Sequence, residues 1–206
     1  VGQGTETGLA QITSEILGIS QKRIKVITGN TDTIADGHGV GADRGTVFIG
    51  SATAKAAENL REKIIKIASN FLQIEPKHVT LSSDRIFDAS NPDNGMEFTE
   101  FARRARFDDP STKLNQNETG VSLIGHATFE SLEAQTVDPK TRLGNVSHTY
   151  THSAVGVIVD VDLGTGDIDI LDICVAEDLG CVINPLLVEG QIQGCIGHAA
   201  GDVFPE

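Results

Sequence analysis

Apolar residues follow a helical period in several stretches of this chain and alternate in others. Leu9, Ile12 and Ile16 fall at i, i+3 and i+7, which predicts a helix from Thr5, as its N-cap, to about Leu17. Gly18 is the expected stop. Residues 23–28 (RIKVIT) alternate and predict a strand. Leu60, Ile64, Ile67 and Phe71 mark one face of a long helix from about Thr46 to Leu72, with Lys55, Glu58, Arg61, Glu62, Lys63 and Lys66 towards water. Pro76 ends the linker after it. Residues 79–81 (VTL) and 85–87 (RIF) predict a short hairpin, and residues 98–106 (FTEFARRAR) a short helix whose Arg103, Arg104 and Arg106 form a solvated end. From Val121 onward the chain is β-rich. Residues 154–162 (AVGVIVDVD) and 167–176 (DIDILDICVA) both alternate around the turn signal Leu163-Gly164-Thr165-Gly166, the clearest hairpin in the sequence. Asn184-Pro185 then predicts an N-cap with proline at the first helical position, opening a last helix to about Val203. The sum is an α+β chain with helices packed on mixed or antiparallel sheets. The polar stretch 108–120 is a candidate link between lobes 1–107 and 120–206.

Two segments depart from ordinary scaffolding. Residues 29–45 are rich in Gly, Asp and Thr, and a loop of that length inside a compact domain usually signals function or disorder. The last helix carries Gly190, Gly194, Gly197 and Gly201, spaced four, three and four apart on one face. Each glycine costs a helix about 1 kcal/mol relative to alanine. Such a face admits a flat ligand or another backbone, or reflects tight helix packing alone. Gly2-Gln3-Gly4 and Gly190-Gln191 each lie at or near the expected start of a helix. Helix starts offer unpaired N–H groups and a positive dipole end. Glycine permits close approach of a bulky anion, and glutamine adds one neutral donor and one acceptor. Two such stations suggest one large polar cofactor held from two sides.

Composition narrows the classes. The 206 residues suit one domain or two small lobes, and 39% apolar residues suffice for a core. A formal charge of −13 without a basic block argues against nucleic acid or an anionic membrane as partner. Cys174, Cys181 and Cys195 form no C-x-x-C pair, so neither a zinc site nor a disulfide framework is expected. Reduced, buried thiols in a cytoplasmic protein are the default. The chain begins abruptly inside GQG and without Met, as a piece of a longer polypeptide would.

Several motifs, taken in order, resemble one family. They are GQGTETGLAQITSEILGI, TGNTDT, the glycine-rich loop ending in DRGTVFIG, and VDVDLGTGDIDILDICVAEDLGCVINPLLVEGQIQG. The resemblance is to the molybdopterin-binding large subunits of the molybdenum hydroxylases, the family of xanthine dehydrogenase, aldehyde oxidase, carbon monoxide dehydrogenase and nicotinate dehydrogenase. It runs along nearly the whole chain and is weakest from Ile74 to His148.

The resemblance implies a partial molybdopterin-binding domain. Gln3, flanked by Gly2 and Gly4, would contact the oxo or dithiolene end of the cofactor. Gly41, Ala42, Asp43, Arg44, Gly45 and Thr46 would hold the pterin and phosphates through backbone N–H groups, and Gln191 would hydrogen-bond the pterin from the other side. Asp43-Arg44-Gly45 stands where the family carries Ser-Arg-Ser, and an Asp would repel a phosphate. The cofactor would be molybdopterin with molybdenum, in the cytosine dinucleotide form of most bacteria. FAD and two [2Fe–2S] clusters on partner subunits or domains would carry electrons away. The implied reaction hydroxylates aldehydes or N-heteroaromatic compounds with water-derived oxygen. The family's glutamate general base lies beyond Glu206, so no catalytic residue is expected in this segment, which alone should be inactive. No side chain is expected to ligate the metal.

Other constellations point elsewhere with less force. His148 and His152 are four apart, and His38 and His198 stand alone; solvated or structural roles are commoner than metal binding. Ser14, Ser51 and Ser153 lack the G-x-S-x-G context of a hydrolase nucleophile. Asp160, Asp162, Asp167, Asp169 and Asp172 could gather calcium, but the outer face of a sheet explains them more plainly. Two other classes stay open: a non-catalytic scaffold or interaction subunit descended from the family, and a generic phosphate- or nucleotide-binding α+β module.

Overall fold

A computed structural model describes residues 3–32, 40–41, 45–106, 123–130, 137–145, 147 and 149–203. The chain divides into two compact units, residues 1–130 with 189–206, and residues 131–188.

The first unit is built around α2 (Ser51–Leu72). Its apolar stripe comes out as the spacing predicts: Ile64 and Ile67 are fully enclosed, and Leu60 and Phe71 pack at the margin. Against it lie α1 (Thr5–Leu17), a three-stranded antiparallel sheet and α3 (Phe98–Arg106). The sheet runs β1 (Val79–Ser82), β2 (Arg85–Asp88), β3 (Asn91–Glu97), each strand beside the next. Leu17, Leu81, Ile86, Met96 and Phe101 close the core from these elements. Phe101 meets Phe71 and Phe98 edge-on, at ring centroid distances of 5.9 and 6.0 Å.

One junction fixes α1 to the sheet. Gly18 ends α1 at φ 65°, and its N–H returns to the Ser14 carbonyl. A Cβ there would stand 2.3 Å from the Leu81 carbonyl oxygen of β1. The β1–β2 turn, Ser83-Asp84, has positive φ at both residues, the geometry that matches the twist of a two-residue hairpin. Asp84 offsets that strain. Its N–H donates to the Gly18 carbonyl (3.0 Å), its carboxylate accepts from the Ser20 N–H (2.9 Å), and its carbonyl accepts from the Phe98 N–H (2.9 Å). Arg23 sits 3.7 Å from the same carboxylate.

Residues 123–130 lie extended along α2. Their burial alternates, with Leu123, Gly125, Ala127 and Phe129 half-covered and the residues between them exposed. Lys63 Nζ donates to the Ile124 carbonyl at 2.7 Å, and Phe129 meets Phe48 edge-on while Lys55 stands over its ring.

Several expectations are corrected. Thr5 is the first helical residue of α1, and Gly4, left-handed at φ 74°, occupies the N-cap without a side-chain bond. Residues 24–28 keep their alternation, with Ile24, Val26 and Thr28 half-buried, yet pair with no strand among the described residues. Alternation reports which face is covered and carries no information about a neighbour. The helix expected from Thr46 opens with a π-helical turn, Gly45–Gly50. Strand β3, whose sequence NPDNGME is poor in β-formers, is visible only once β2 pairs with it. Arg103 and Arg106 are solvated as expected, but Arg104 stacks on the Phe71 ring at 4.2 Å.

The second unit holds the predicted hairpin, β4 (His152–Val161) and β5 (Ile168–Asp178). Asp162 closes the turn by accepting from the N–H groups of Gly164 (2.7 Å) and Thr165 (3.2 Å). The register pairs Val155 with Val175, Val157 with Ile173, Val159 with Ile170 and Val161 with Ile168, so one face is wholly β-branched. A bulge beside Val159 takes up Leu171 and preserves that face. The other face pairs Gly156 with Cys174, Ile158 with Asp172 and Asp160 with Asp169. α4 (Pro185–Val203) follows, with Pro185 at its first position and the Leu187 N–H donating to Asn184 Oδ1 at 3.1 Å.

Gly18→Ala should cost more than about 2 kcal/mol of stability, because a left-handed alanine alone costs about 1–2 kcal/mol and its methyl meets a carbonyl. Urea unfolding of the folded protein measures it; an unchanged midpoint would disprove the close approach. At the end of β2, the buried Asp88 carboxylate accepts from the Ser90 hydroxyl (2.7 Å) and N–H (2.8 Å), which hold its pKa below the usual carboxylate range. A lowered folded pKa stabilises the fold above the unfolded value of about 3.9, and the contribution disappears as pH falls through the folded pKa. Ser90→Ala should therefore raise the Asp88 titration midpoint seen by NMR.

Candidate functional site

The start of α1 is open, because Gly4 and not Thr5 stands at its cap. With Gly4 at the cap and no side chain bonded there, the N–H groups of the first turn face a station without a protein acceptor from the cap. Gln3 is exposed. The Gly4 carbonyl accepts from the Gly8 N–H at 3.1 Å, which starts the helical ladder. Glu6, in the first turn, complements the dipole and accepts a 2.5 Å hydrogen bond from Thr28 Oγ1. That bond ties the TGN segment to the GQG helix. Sequence reasoning missed it, because both residues were visible only as parts of separate motifs. Beyond Thr28 the chain turns at Gly29, φ 64°, and Asn30 Oδ1 accepts from the Asp32 N–H at 2.9 Å.

The glycine-rich loop returns to α1 through its far end. Gly50 is buried, and a Cβ on it would lie 3.2 Å from Ile12 Cδ1. Gly41 and Thr46 are exposed, and Gly45 is half-buried at the start of the π-helical turn. π-Turns are frequent at functional positions. Three sequence motifs, GQG, TGN and the end of the DRGTVFIG segment, thus converge on one helix. Gly2, Ala42, Asp43 and Arg44 lie outside the described residues, as do His38 and His148.

Helix α4 has two unlike faces. Val188, Ile192, Ile196 and Ala200 are half-buried at four-residue spacing. At 100° per residue the glycines lie about 150° around the helix from that row. A Cβ added at Gly190, Gly194 or Gly197 would meet nothing within 4 Å, and Gly201 is exposed. Tight packing against another described element therefore does not explain these glycines. Gln191 is exposed beside them, but it lies in the second turn of α4 and not at the helix start expected for it, because the helix already opens at Pro185. No hydrogen bond joins Gln3 to Gln191; each carboxamide is free of protein partners among the described residues. The glycine face of α4 and the start of α1 are each open among the described residues.

Ser14 Oγ donates to the Ile19 carbonyl at 2.6 Å, a structural bond. His152 is exposed opposite Asp178 in the hairpin, and His198 is exposed on α4. No group of three metal-ligating side chains occurs among the described residues. The three thiols, expected in the core, are all exposed: Cys174 shares the acid-bearing face of the hairpin, Cys181 lies in the following loop and Cys195 on α4. No helix among the described residues is long and apolar enough to cross a membrane.

The described residues form a mixed α/β architecture in which Gln3, Gly190 and Gln191 are exposed. Residues 1–206 match the family model of the molybdopterin cofactor-binding domain throughout, and the chain belongs to that family. It is 31% identical, over its full length, to the 6-hydroxypseudooxynicotine dehydrogenase complex subunit gamma of Paenarthrobacter nicotinovorans, of which it covers 24%. It is 31% identical to the carbon monoxide dehydrogenase large chain of Afipia carboxidovorans over 96% of this chain and 22% of that one. Among solved structures, CO dehydrogenase from Oligotropha carboxidovorans superimposes with a TM-score of 0.72 at 29% identity. Quinoline 2-oxidoreductase from Pseudomonas putida 86 gives 0.69 at 27%, and each match covers 94% of this chain and 22% of the other. The chain thus spans about a quarter of the length of these relatives.

Gly194→Ala should leave α4 folded and raise its helical stability by up to about 1 kcal/mol, since its face is open. Thermal unfolding followed by circular dichroism reads this; a lowered midpoint would reveal a neighbour against that face.

Proposed function

We propose that this chain is the part of a molybdenum hydroxylase large subunit that grips the molybdopterin cofactor. Gln3 and Gln191 are its carboxamide contacts. Gly2, Gly4 and residues 41–46 supply backbone contacts. The single observation that carries the reading is the glycine face of α4, open along three positions with Gln191 at its margin.

When bound, the molybdenum cofactor supplies a redox centre at which carbon is hydroxylated with oxygen from water. The chain's own residues bind and orient. A glutamine carboxamide offers a donor and an acceptor without adding charge, so it can read a pterin edge or an oxo group. The α1 dipole and first-turn amides favour the anionic end of the group. The Thr28 to Glu6 bond holds the TGN turn beside that helix start. Asp43 works against a phosphate placed near it, so Arg44 and the backbone amides must supply the attraction.

The cofactor is proposed in its cytosine dinucleotide form. FAD and [2Fe–2S] clusters on partner subunits or domains accept the electrons, in the cytoplasm. Substrates of the whole enzyme are proposed to be aldehydes or N-heteroaromatic compounds. This is in keeping with relatives named for nicotine and hypoxanthine, although another relative is a carbon monoxide dehydrogenase. The general base lies in polypeptide outside these residues. A non-catalytic scaffold is the second reading, favoured by Asp43 where the family carries serine.

Elemental analysis of the native assembled complex should give near-stoichiometric molybdenum; its absence from a fully assembled complex supports the scaffold. Gln191→Ala in that complex should weaken cofactor retention about tenfold, the scale of one or two lost hydrogen bonds, with an unchanged unfolding midpoint. Unaltered molybdenum content and turnover in the variant would remove Gln191 from the role assigned to it.

A further inference from the structure

The β4–β5 hairpin presents a surface that the proposed cofactor role does not use. Val155, Val157, Val159, Val161, Ile168 and Ile170 stand on its β-branched face, between 39% and 61% exposed. Together they leave on the order of 500 Å² of apolar surface open, the size that marks an interaction site. We infer that this face is an intramolecular docking surface, covered by polypeptide of the same large subunit outside residues 1–206. The inference rests on the reading of the chain as part of such a subunit.

Three observations select this occupant. The relatives are about four times longer than the chain, so ample polypeptide of the same subunit is at hand. A two-stranded hairpin is marginal in water by itself, so its cover must be present as the strands form. A tethered segment meets that need at an effective concentration near millimolar, whereas a separate subunit arrives later and more dilute. A second copy is disfavoured by charge. Asp162 and Asp167 flank the turn and the chain carries −13 overall, so two copies would bring like charges together. The face itself holds no charged side chain between its first and last Val/Ile pairs, the composition of a domain core and not of an interface rim.

The test uses the full-length large subunit, expressed without its FAD and iron–sulfur partners. Hydrogen exchange read by mass spectrometry should show the amides of residues 152–178 protected at least a thousandfold relative to the urea-unfolded chain. In a variant with Cys174, Cys181 and Cys195 replaced by serine, Val157→Cys should react with a maleimide at least a hundredfold more slowly than in urea. Protection that appears only after the partner subunits are added would overturn the inference, as would protection that grows with concentration alongside a sedimenting dimer. Fast exchange and labelling in every state would overturn it too. The wild-type exchange measurement stands even if the cysteine variant misfolds. Molybdenum in the assembled complex separates the two ideas. A protected hairpin without molybdenum sinks the cofactor reading alone, and a loaded complex with an accessible face sinks only the docking surface.

Discussion

The close approach of Gly18 to the Leu81 carbonyl is the constraint on which the first unit depends. No residue with a Cβ could end α1 there, because the backbone of β1 already occupies the space. The left-handed stop and the β1–β2 turn then share one residue, Asp84, whose backbone bonds the end of α1 and the start of α3 and whose carboxylate accepts from the Ser20 amide. Three elements distant in sequence are thereby held by a single two-residue turn. Because α1 is anchored at its C-terminal end, its N-terminal end can stay uncapped without loosening the helix. An uncapped helix start is an expense in a purely structural protein and an asset in one that binds an anion.

Helix α4 embodies the opposite arrangement. Its half-buried row of Val188, Ile192, Ile196 and Ala200 gives it one packed side, while the glycine row remains bare. Four glycines lower helical propensity by several kcal/mol, about 1 kcal/mol each, and no described element returns that stability through close packing. In the proposed function the cofactor seated on the bare side supplies the compensation. The hairpin ahead of α4 has the same character on a larger scale, an apolar face with no cover among the described residues. Both features fit the proposed reading of a domain completed by a ligand and by further polypeptide.

Helices and tight turns were legible because their signals are local. The stripe of α2, the Asn184-Pro185 start of α4 and the hairpin around Leu163 to Gly166 each lie within a few residues of the structure they encode. In the candidate site, the place of Gln3 just ahead of α1 followed from the same local rules. The Thr28 to Glu6 bond did not, since it joins residues 22 apart that carry no joint pattern. Arg104 likewise reads as a solvated cation until Phe71 is seen beneath it.

By itself the sequence determined the order and nature of the helices, the glycine row of α4, the two-faced hairpin and the family to which the chain belongs. All of these rest on periodicity, turn chemistry or motif order along the chain. Tertiary structure alone decided that Asn91–Glu97 is a strand and that residues 24–28 pair with no strand among the described residues. It also decided that Gly4 and not Thr5 caps α1, and that the three thiols face outward. Strand pairing and burial are properties of a residue's distant neighbours, and a linear pattern specifies the face that needs covering without naming what covers it.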